Sequence, residues 1–334
     1  MAERAAAITA FLAAAGWGRS ERRKLAGDAS FRRYERLVLD GRRAILMDAP
    51  PPQENVRPFL DVAQLLQRLG LSAPAILARD EANGLLLLED LGDDTYTRLL
   101  AQGGDEAALY ALAVDVLIHL QRRFDPLPAT LPEYDEARLL GEASLLVDWF
   151  LPAATGETPP ADWRASYLAA WRQVLPLAAT AAPTLVLRDY HVDNLLLLPE
   201  RSGVGACGLL DFQDAVVGPA SYDLVSLLED ARRDVPPALA AAMVERYLAG
   251  FPGIDRGQFL ASYAVLGAQR SCKIAGIFTR LWKRDGKPQY LGHLPRVWRL
   301  IEQDLQHPAL APVAAWLARH VPPSSRLLPV EKTA

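Results

Sequence analysis

Hydrophobic and polar positions change rhythm twice along the chain. Near the start, Ile8, Phe11, Leu12 and Ala15 recur at helical spacing, and Glu3 stands beside Arg4, which predicts an amphipathic helix rather than a cleaved leader. Tyr34–Leu39 and Arg43–Met47 then read as strands joined at the hairpin dipeptide Asp40-Gly41. After Pro50-Pro51-Pro52, apolar residues Val56, Phe59, Leu60, Ala63, Leu66 and Leu69 predict a helix over Asn55–Leu69 that stops at Gly70. Ala75–Arg79 and Leu85–Leu88 predict a further strand pair around Asn83-Gly84.

Beyond Gly92 the pattern is helical, with helices expected near 106–123, 135–150, 162–177, 222–232, 237–249, 257–282 and 308–320. One short all-β insert interrupts them, at Leu185–Leu187, Leu195–Leu198 and Gly208–Phe212. The expected class is α+β with two lobes: a small β-rich lobe over residues 1–91 and a larger, mainly helical lobe over 92–334.

Composition narrows the picture further. With 334 residues, 51% of them hydrophobic, the chain can bury a sizeable core. A net charge of −4 argues against a general nucleic-acid binder. No apolar run is long enough to cross a membrane, and the two cysteines, Cys207 and Cys272, have no metal-ligand spacing. The expectation is a cytoplasmic protein that works on small molecules, with no membrane, nucleic-acid or obligate protein partner.

Candidate chemistry concentrates in two apolar strands that each end in an aspartate. Leu185–Leu187 runs into Arg188-Asp189, Asn194 follows five residues after Asp189, and Leu209-Leu210 leads into Asp211. Either acidic turn alone is unremarkable, because Asp and Asn are common turn residues. Together they match what phosphoryl transfer from ATP requires. One carboxylate accepts the proton of the attacking hydroxyl, while an amide oxygen and a second carboxylate hold Mg²⁺, a cation that takes few protein ligands. By contrast, Gly203–Gly208 formally matches G-x-G-x-x-G but links two apolar strands, so it reads as a hairpin turn and not a dinucleotide site.

The longer strings carry a resemblance. Gly27–Tyr34 (GDASFRRY), Leu46–Pro51 (LMDAPP), Leu187–Asn194 (LRDYHVDN), Leu210–Ala215 (LDFQDA), Gly218–Leu227 (GPASYDLVSL) and Lys273–Leu281 (KIAGIFTRL) resemble the aminoglycoside-phosphotransferase-like branch of the protein-kinase-like superfamily. More narrowly, they resemble the kinases of bacterial cell-wall recycling that phosphorylate N-acetylmuramate and N-acetylglucosamine at the anomeric hydroxyl. The resemblance implies a protein-kinase-like fold and ATP with Mg²⁺ as cofactors. It also implies Asp189 as catalytic base, Asn194 and Asp211 as metal ligands, and Asp223 as a brace of the catalytic loop. Nucleotide contacts would come from Ser30, Arg32 and Arg33 in the phosphate-covering hairpin and from Glu89 and Leu91 at the hinge. Within that wider branch, the same residues would equally serve a kinase of an aminoglycoside or an amino alcohol, or an inactive nucleotide-binding module.

Two positions depart from the family pattern. Leu187 stands where a histidine is usual, and Met47 stands where the strand lysine that reaches the phosphates would be. Without that lysine no partner glutamate can be assigned, and Arg32 or Arg33 becomes the candidate phosphate cation. For the substrate, residues 257–301 carry eight Lys or Arg, Arg270 and Lys273 among them, against Asp285 alone, which suits an acidic sugar better than a polycation. His191, Asp214, Glu142 and Trp149 are further substrate candidates, the last two being seven residues apart on one expected helix.

Overall fold

Short alternating and apolar runs near the N-terminus pair into one antiparallel sheet: β1 (Glu21–Lys24), β2 (Arg33–Leu39), β3 (Arg42–Asp48), β4 (Ile76–Asp80) and β5 (Leu85–Glu89), in the spatial order β1-β2-β3-β5-β4. The computed structural model describes residues 2–25, 31–125, 131–179, 183–326 and 328. The β2–β3 hairpin turns at Asp40 and Gly41, with φ of 50° and 77°, the left-handed pair that lets a two-residue turn follow the strand twist. Leu85–Leu88 of β5 are all buried. One face of the sheet packs on α1 (Ala2–Ala14), whose Ile8, Phe11 and Leu12 cluster with Leu37, Ala44, Leu46, Leu85 and Leu87. The amphipathic-helix expectation thus holds for this segment, and Arg4 Nε fixes it further at 2.9 Å from Asp48 Oδ1.

Helix α2 (Arg57–Arg68) buries Phe59, Leu60, Val62, Ala63 and Leu66 and tolerates Pro58 in its first turn, where no intrahelical N–H is lost. The chain continues through α3 (Tyr96–Ala101), α4 (Glu106–Arg123), α5 (Glu136–Ala143), α6 (Leu151–Thr155) and α7 (Ala161–Val174). Then come the short strands β6 (Thr184–Val186), β7 (Leu195–Leu197), β8 (Cys207–Leu209) and β9 (Val216–Gly218), with β7 pairing β8 and β6 pairing β9. Helices α8 (Tyr222–Leu228), α9 (Pro237–Ala249), α10 (Arg256–Asp285), α11 (Leu294–Asp304) and α12 (Ala311–His320) complete it. The helix expected over 135–150 is broken: α5 ends at Ala143 and Leu146–Phe150 forms a π-helical segment before α6.

Packing divides the chain into two units. Residues Met1–Val116 and Val192–Asp214 form the first; Leu117–His191 and Ala215–Ala334 form the second. The first unit therefore takes in residues 92–116 as well as the sheet. It also takes in the β7–β8 hairpin, which is stitched to it by Leu209 N–H to the Ser72 carbonyl (2.9 Å), Ser72 Oγ to the Gly205 carbonyl (2.6 Å) and Leu197 N–H to the Asp94 carbonyl (2.9 Å). The Gly203–Ala206 link is a single 3₁₀ turn inside this hairpin, followed by a strand, which removes it as a dinucleotide motif. The second unit builds its core around the thirty-residue α10, where Gly276 admits the Leu145 backbone: a Cβ there would lie 2.3 Å from the Leu145 carbonyl.

Candidate active site

The first unit holds a cavity of about 310 Å³ lined by Leu25, Tyr34, Arg36, Ile45, Phe59, Pro74, Leu88, Glu89, Asp90, Leu91, Gly92, Asn194, Leu196, Leu210 and Asp211. Strand alternation explains the wall: Tyr34 and Arg36 on β2 pair across to Met47 and Ile45 on β3, so side chains two apart share the cavity face. Of the expected nucleotide contacts, Glu89 and Leu91 line this cavity. Arg33 is exposed, Arg32 is half-buried, and Ser30 lies outside the described residues. Met47 is buried, so no cation reaches the cavity from that strand position.

The segment around Glu89 is tied down by several contacts. Glu89 N–H bonds the Ala75 carbonyl at 2.8 Å, its carboxylate takes the Ala75 N–H at 3.1 Å, and Arg201 pairs with the same carboxylate. Arg36 lies 2.7 Å from Asp90 and 2.8 Å from Asp93.

Asn194 and Asp211 line the same cavity. They are joined through the backbone, because the Asn194 carbonyl accepts the Leu210 N–H at 2.9 Å. Asp211 has a left-handed φ of 57°, uncommon for a residue with a side chain and frequent where function overrides local preference. Gln213 Nε2 donates to Asp211 Oδ1 at 2.8 Å, and the next ring, Phe212, stacks on Phe59 of α2 with centroids 4.9 Å apart. Among the described residues no group of three His, Cys, Asp or Glu side chains is placed to hold a metal alone. One amide and one carboxylate fit Mg²⁺ instead, which completes its shell with water and phosphate oxygens.

Asp189 belongs to the second unit and is half-buried. The turn before it is constrained: Arg188 adopts a left-handed φ of 68°, and the Asp223 carboxylate accepts the N–H of Leu187 at 2.6 Å and of Arg188 at 2.9 Å. Asp223 is fully enclosed, and burial pushes its carboxyl up to about 7 against the pull of those two amides. Leu187, at the position of the family histidine, is buried.

Glu142 sits at the centre of a buried charge cluster in this unit. It pairs with Arg188, lies 3.2 Å from Lys273 Nζ, and accepts the Tyr134 hydroxyl. Burial pushes the Glu142 carboxyl up, but Lys273 and Arg188 outweigh it and hold the carboxyl below its ordinary value. Arg188, read in the sequence only as a neighbour of Asp189, is thus held by a carboxylate; a buried Glu 46 residues away leaves no local signal.

The remaining substrate candidates differ in their surroundings. His191 is buried, 3.5 Å from Arg232, and burial lowers its pKa, with Arg232 and Arg270 acting in the same direction against the pull of Asp230. Asp214 is exposed. Trp149 falls in the π-helical segment, which interrupts the α-helical spacing that would pair it with Glu142. Arg270 is buried and donates to the Glu229 carbonyl at 3.3 Å. The basic stretch over 257–301 is accordingly not one face: Arg296 and Arg299 pair with Asp234, Arg284 pairs with Asp285, and Lys283 lies over the Trp282 ring.

Comparison with known proteins adds the following. Residues 21–260 match the model of the phosphotransferase enzyme family. The chain is 40% identical to N-acetylmuramate/N-acetylglucosamine kinase of Caulobacter vibrioides, covering 97% of this chain and 98% of that protein. It is also 40% identical to the kinase of the same name from Pseudomonas aeruginosa, over 91% of each. Among solved structures, the GDP complex of aminoglycoside 2′-phosphotransferase-IIIa superposes with a TM-score of 0.60 at 17% identity, covering 90% of this chain and 97% of that one. At that identity the likeness speaks for the fold.

Proposed function

We propose, from the premise that this chain belongs to the phosphotransferase enzyme family, that it is an ATP-dependent kinase of N-acetylmuramate and N-acetylglucosamine that forms the sugar 1-phosphate in the cytoplasm. The observation that carries the nucleotide half of this reading is the pairing of Asn194 and Asp211 in one cavity with the Glu89–Leu91 segment. The sugar half rests on the curated relatives that are 40% identical over more than nine-tenths of the chain.

The residues divide the work as follows. Adenine lies against Ile45, Leu88 and Leu196, with the backbone around Glu89–Leu91 supplying its hydrogen bonds. Asn194 and Asp211 would hold Mg²⁺, which when bound offsets phosphate charge. Asp189 accepts the proton of the anomeric hydroxyl as that oxygen forms a bond to the γ-phosphorus. The bond between the γ-phosphorus and the bridging oxygen breaks, and ADP leaves with the electron pair. Asp223 keeps Asp189 in register through the Leu187 and Arg188 amides.

The test is ADP release from ATP and Mg²⁺ with N-acetylmuramate, N-acetylglucosamine, kanamycin or choline supplied separately, and ³¹P detection of the product. A glycosyl 1-phosphate signal with the two amino sugars alone is expected. Turnover with kanamycin or choline instead would keep the residue roles and overturn the substrate.

A further inference from the structure

A nucleoside triphosphate brings further negative charge into a cavity whose lining is already net negative, with Arg36 set against Glu89, Asp90 and Asp211. Arg36 faces two carboxylates, Asp90 and Asp93, so one cation is already outnumbered. Arg201 is shared between Glu89 and Glu200. Beside the metal-ligand candidate stands Arg32, immediately before β2. Its Nη1 lies 3.9 Å from Asp211 Oδ1, beyond hydrogen-bond length, and its guanidinium also meets the Tyr34 hydroxyl, whose ring lines the cavity.

What aims Arg32 is Glu54, in the loop that leads into α2. One Glu54 oxygen lies 3.2 Å from Arg32 Nε, and the other accepts the Phe31 N–H at 3.2 Å, so a single carboxylate grips both the side chain and the backbone of this segment. Both partners are mostly buried, at 14% and 15% side-chain exposure, where such a pair is screened less than on the surface. Glu54 N–H bonds the Pro50 carbonyl at 3.1 Å, and α2 just beyond carries Phe59, which stacks on Phe212 next to Asp211. Arg32, Glu54, α2 and Asp211 therefore close a ring of contacts inside the first unit.

We infer that Arg32 is the cation that binds the nucleotide phosphates beside Asp211, and that Glu54 is its positioning residue. This rests on the reading of the cavity as a nucleotide site. A guanidinium presents N–H groups in one plane to adjacent phosphate oxygens, and with its Nε on Glu54 the Arg32 Nη1 stands on the side of Asp211.

The experiment titrates the full chain with ATP and, separately, with adenosine. Arg32→Ala is expected to weaken ATP about tenfold or more while adenosine stays within about twofold, because only phosphate contacts are lost. Glu54→Gln is expected to weaken ATP less, and to add nothing in an Arg32→Ala background if it acts through Arg32. ATP affinity of Arg32→Ala within about twofold of wild type, or losses that add in the double variant, would overturn the inference. If Arg32→Ala does not fold, Arg32→Lys decides the matter: a raised KM for ATP with an unchanged KM for sugar supports it, and equal rises in both overturn it. Wild-type protein that binds ATP through Arg32 yet phosphorylates no sugar would remove the substrate assignment and leave this inference standing.

Discussion

The Asp223 carboxylate accepts the main-chain N–H of Arg188 at 2.9 Å, and Arg188 is held there in a left-handed conformation. The second oxygen takes the Leu187 N–H, so both acceptors are used on two consecutive amides. Asp223→Asn replaces one acceptor by an NH₂ that opposes an N–H donor. A loss of about 1–3 kcal/mol in folding stability is expected, the cost of an unsatisfied buried group. In the folded fraction kcat should drop while KM for ATP holds. Denaturant melts with steady-state kinetics check this; an unchanged kcat would mean that the loop keeps its shape without the carboxylate.

Asp189→Ala removes the proposed proton acceptor. Turnover should fall by about 10²–10⁴-fold with ATP affinity retained, since general-base contributions are of that size. Calorimetric ATP binding beside a turnover assay gives both numbers from one preparation. Near-normal turnover would exclude Asp189 as the base.

Glu142→Ala strips the counter-charge from Arg188 and Lys273 together. Breaking a buried pair by deleting one partner costs about 3–5 kcal/mol, so a large fall in the denaturation midpoint is expected. Glu142→Gln keeps the acceptor for Tyr134 and should lose less. Were Glu142 a free sugar-binding group, the alanine variant would instead raise the KM for sugar and leave the midpoint unchanged.

Glu229 and Asp304 supply a pH dependence. Both are buried, and their oxygens approach each other over Gly267, where a Cβ would lie 2.7 Å from Glu229 Oε2 and 2.5 Å from Asp304 Oδ2. Burial pushes Glu229 up to about 7, and burial together with Glu229 pushes Asp304 well above its ordinary range. Unfolded carboxyls release their protons near about pH 4, so above that the folded chain holds more protons than the unfolded one. Stability is therefore fully present on the acid side of this window and is lost as pH rises through 7. Melting temperatures measured from pH 5.5 to 8.5 should decline, and Asp304→Asn should flatten the decline. A stability that rises across that range would contradict the upward shift of these two buried carboxyls.

The residues that announce themselves in the sequence are those whose role is local. Asp40-Gly41 specifies its own turn, α2 follows its apolar stripe, and the Asp189–Asn194 spacing can be read at all because both lie on one short segment. β1 is a different case: Glu21-Arg22-Arg23-Lys24 has no apolar position and is a strand only because β2 offers it a backbone edge. Helix α11 is absent from the sequence reading although Leu294, Val297, Trp298 and Ile301 keep helical spacing, and Pro295 occupies a first-turn position that tolerates it. Glu54 leaves no sequence signal, since its partner Arg32 is 22 residues away and neither lies within a regular element.

The first unit is assembled from two stretches of chain separated by residues 117–191. Its β7–β8 hairpin supplies Asn194 and leads directly into Asp211, and it is fastened to Ser72 and Asp94. During synthesis the sheet, α1 and α2 leave the ribosome long before that hairpin exists. The growing chain can thus build the sheet wall of the cavity early, but it completes the proposed metal-ligand pair only once residue 211 has emerged, by which time residues 117–191 of the second unit have been made. A truncated product ending before β8 would carry the sheet but lack Asp211, and so only half of the proposed Mg²⁺ pair.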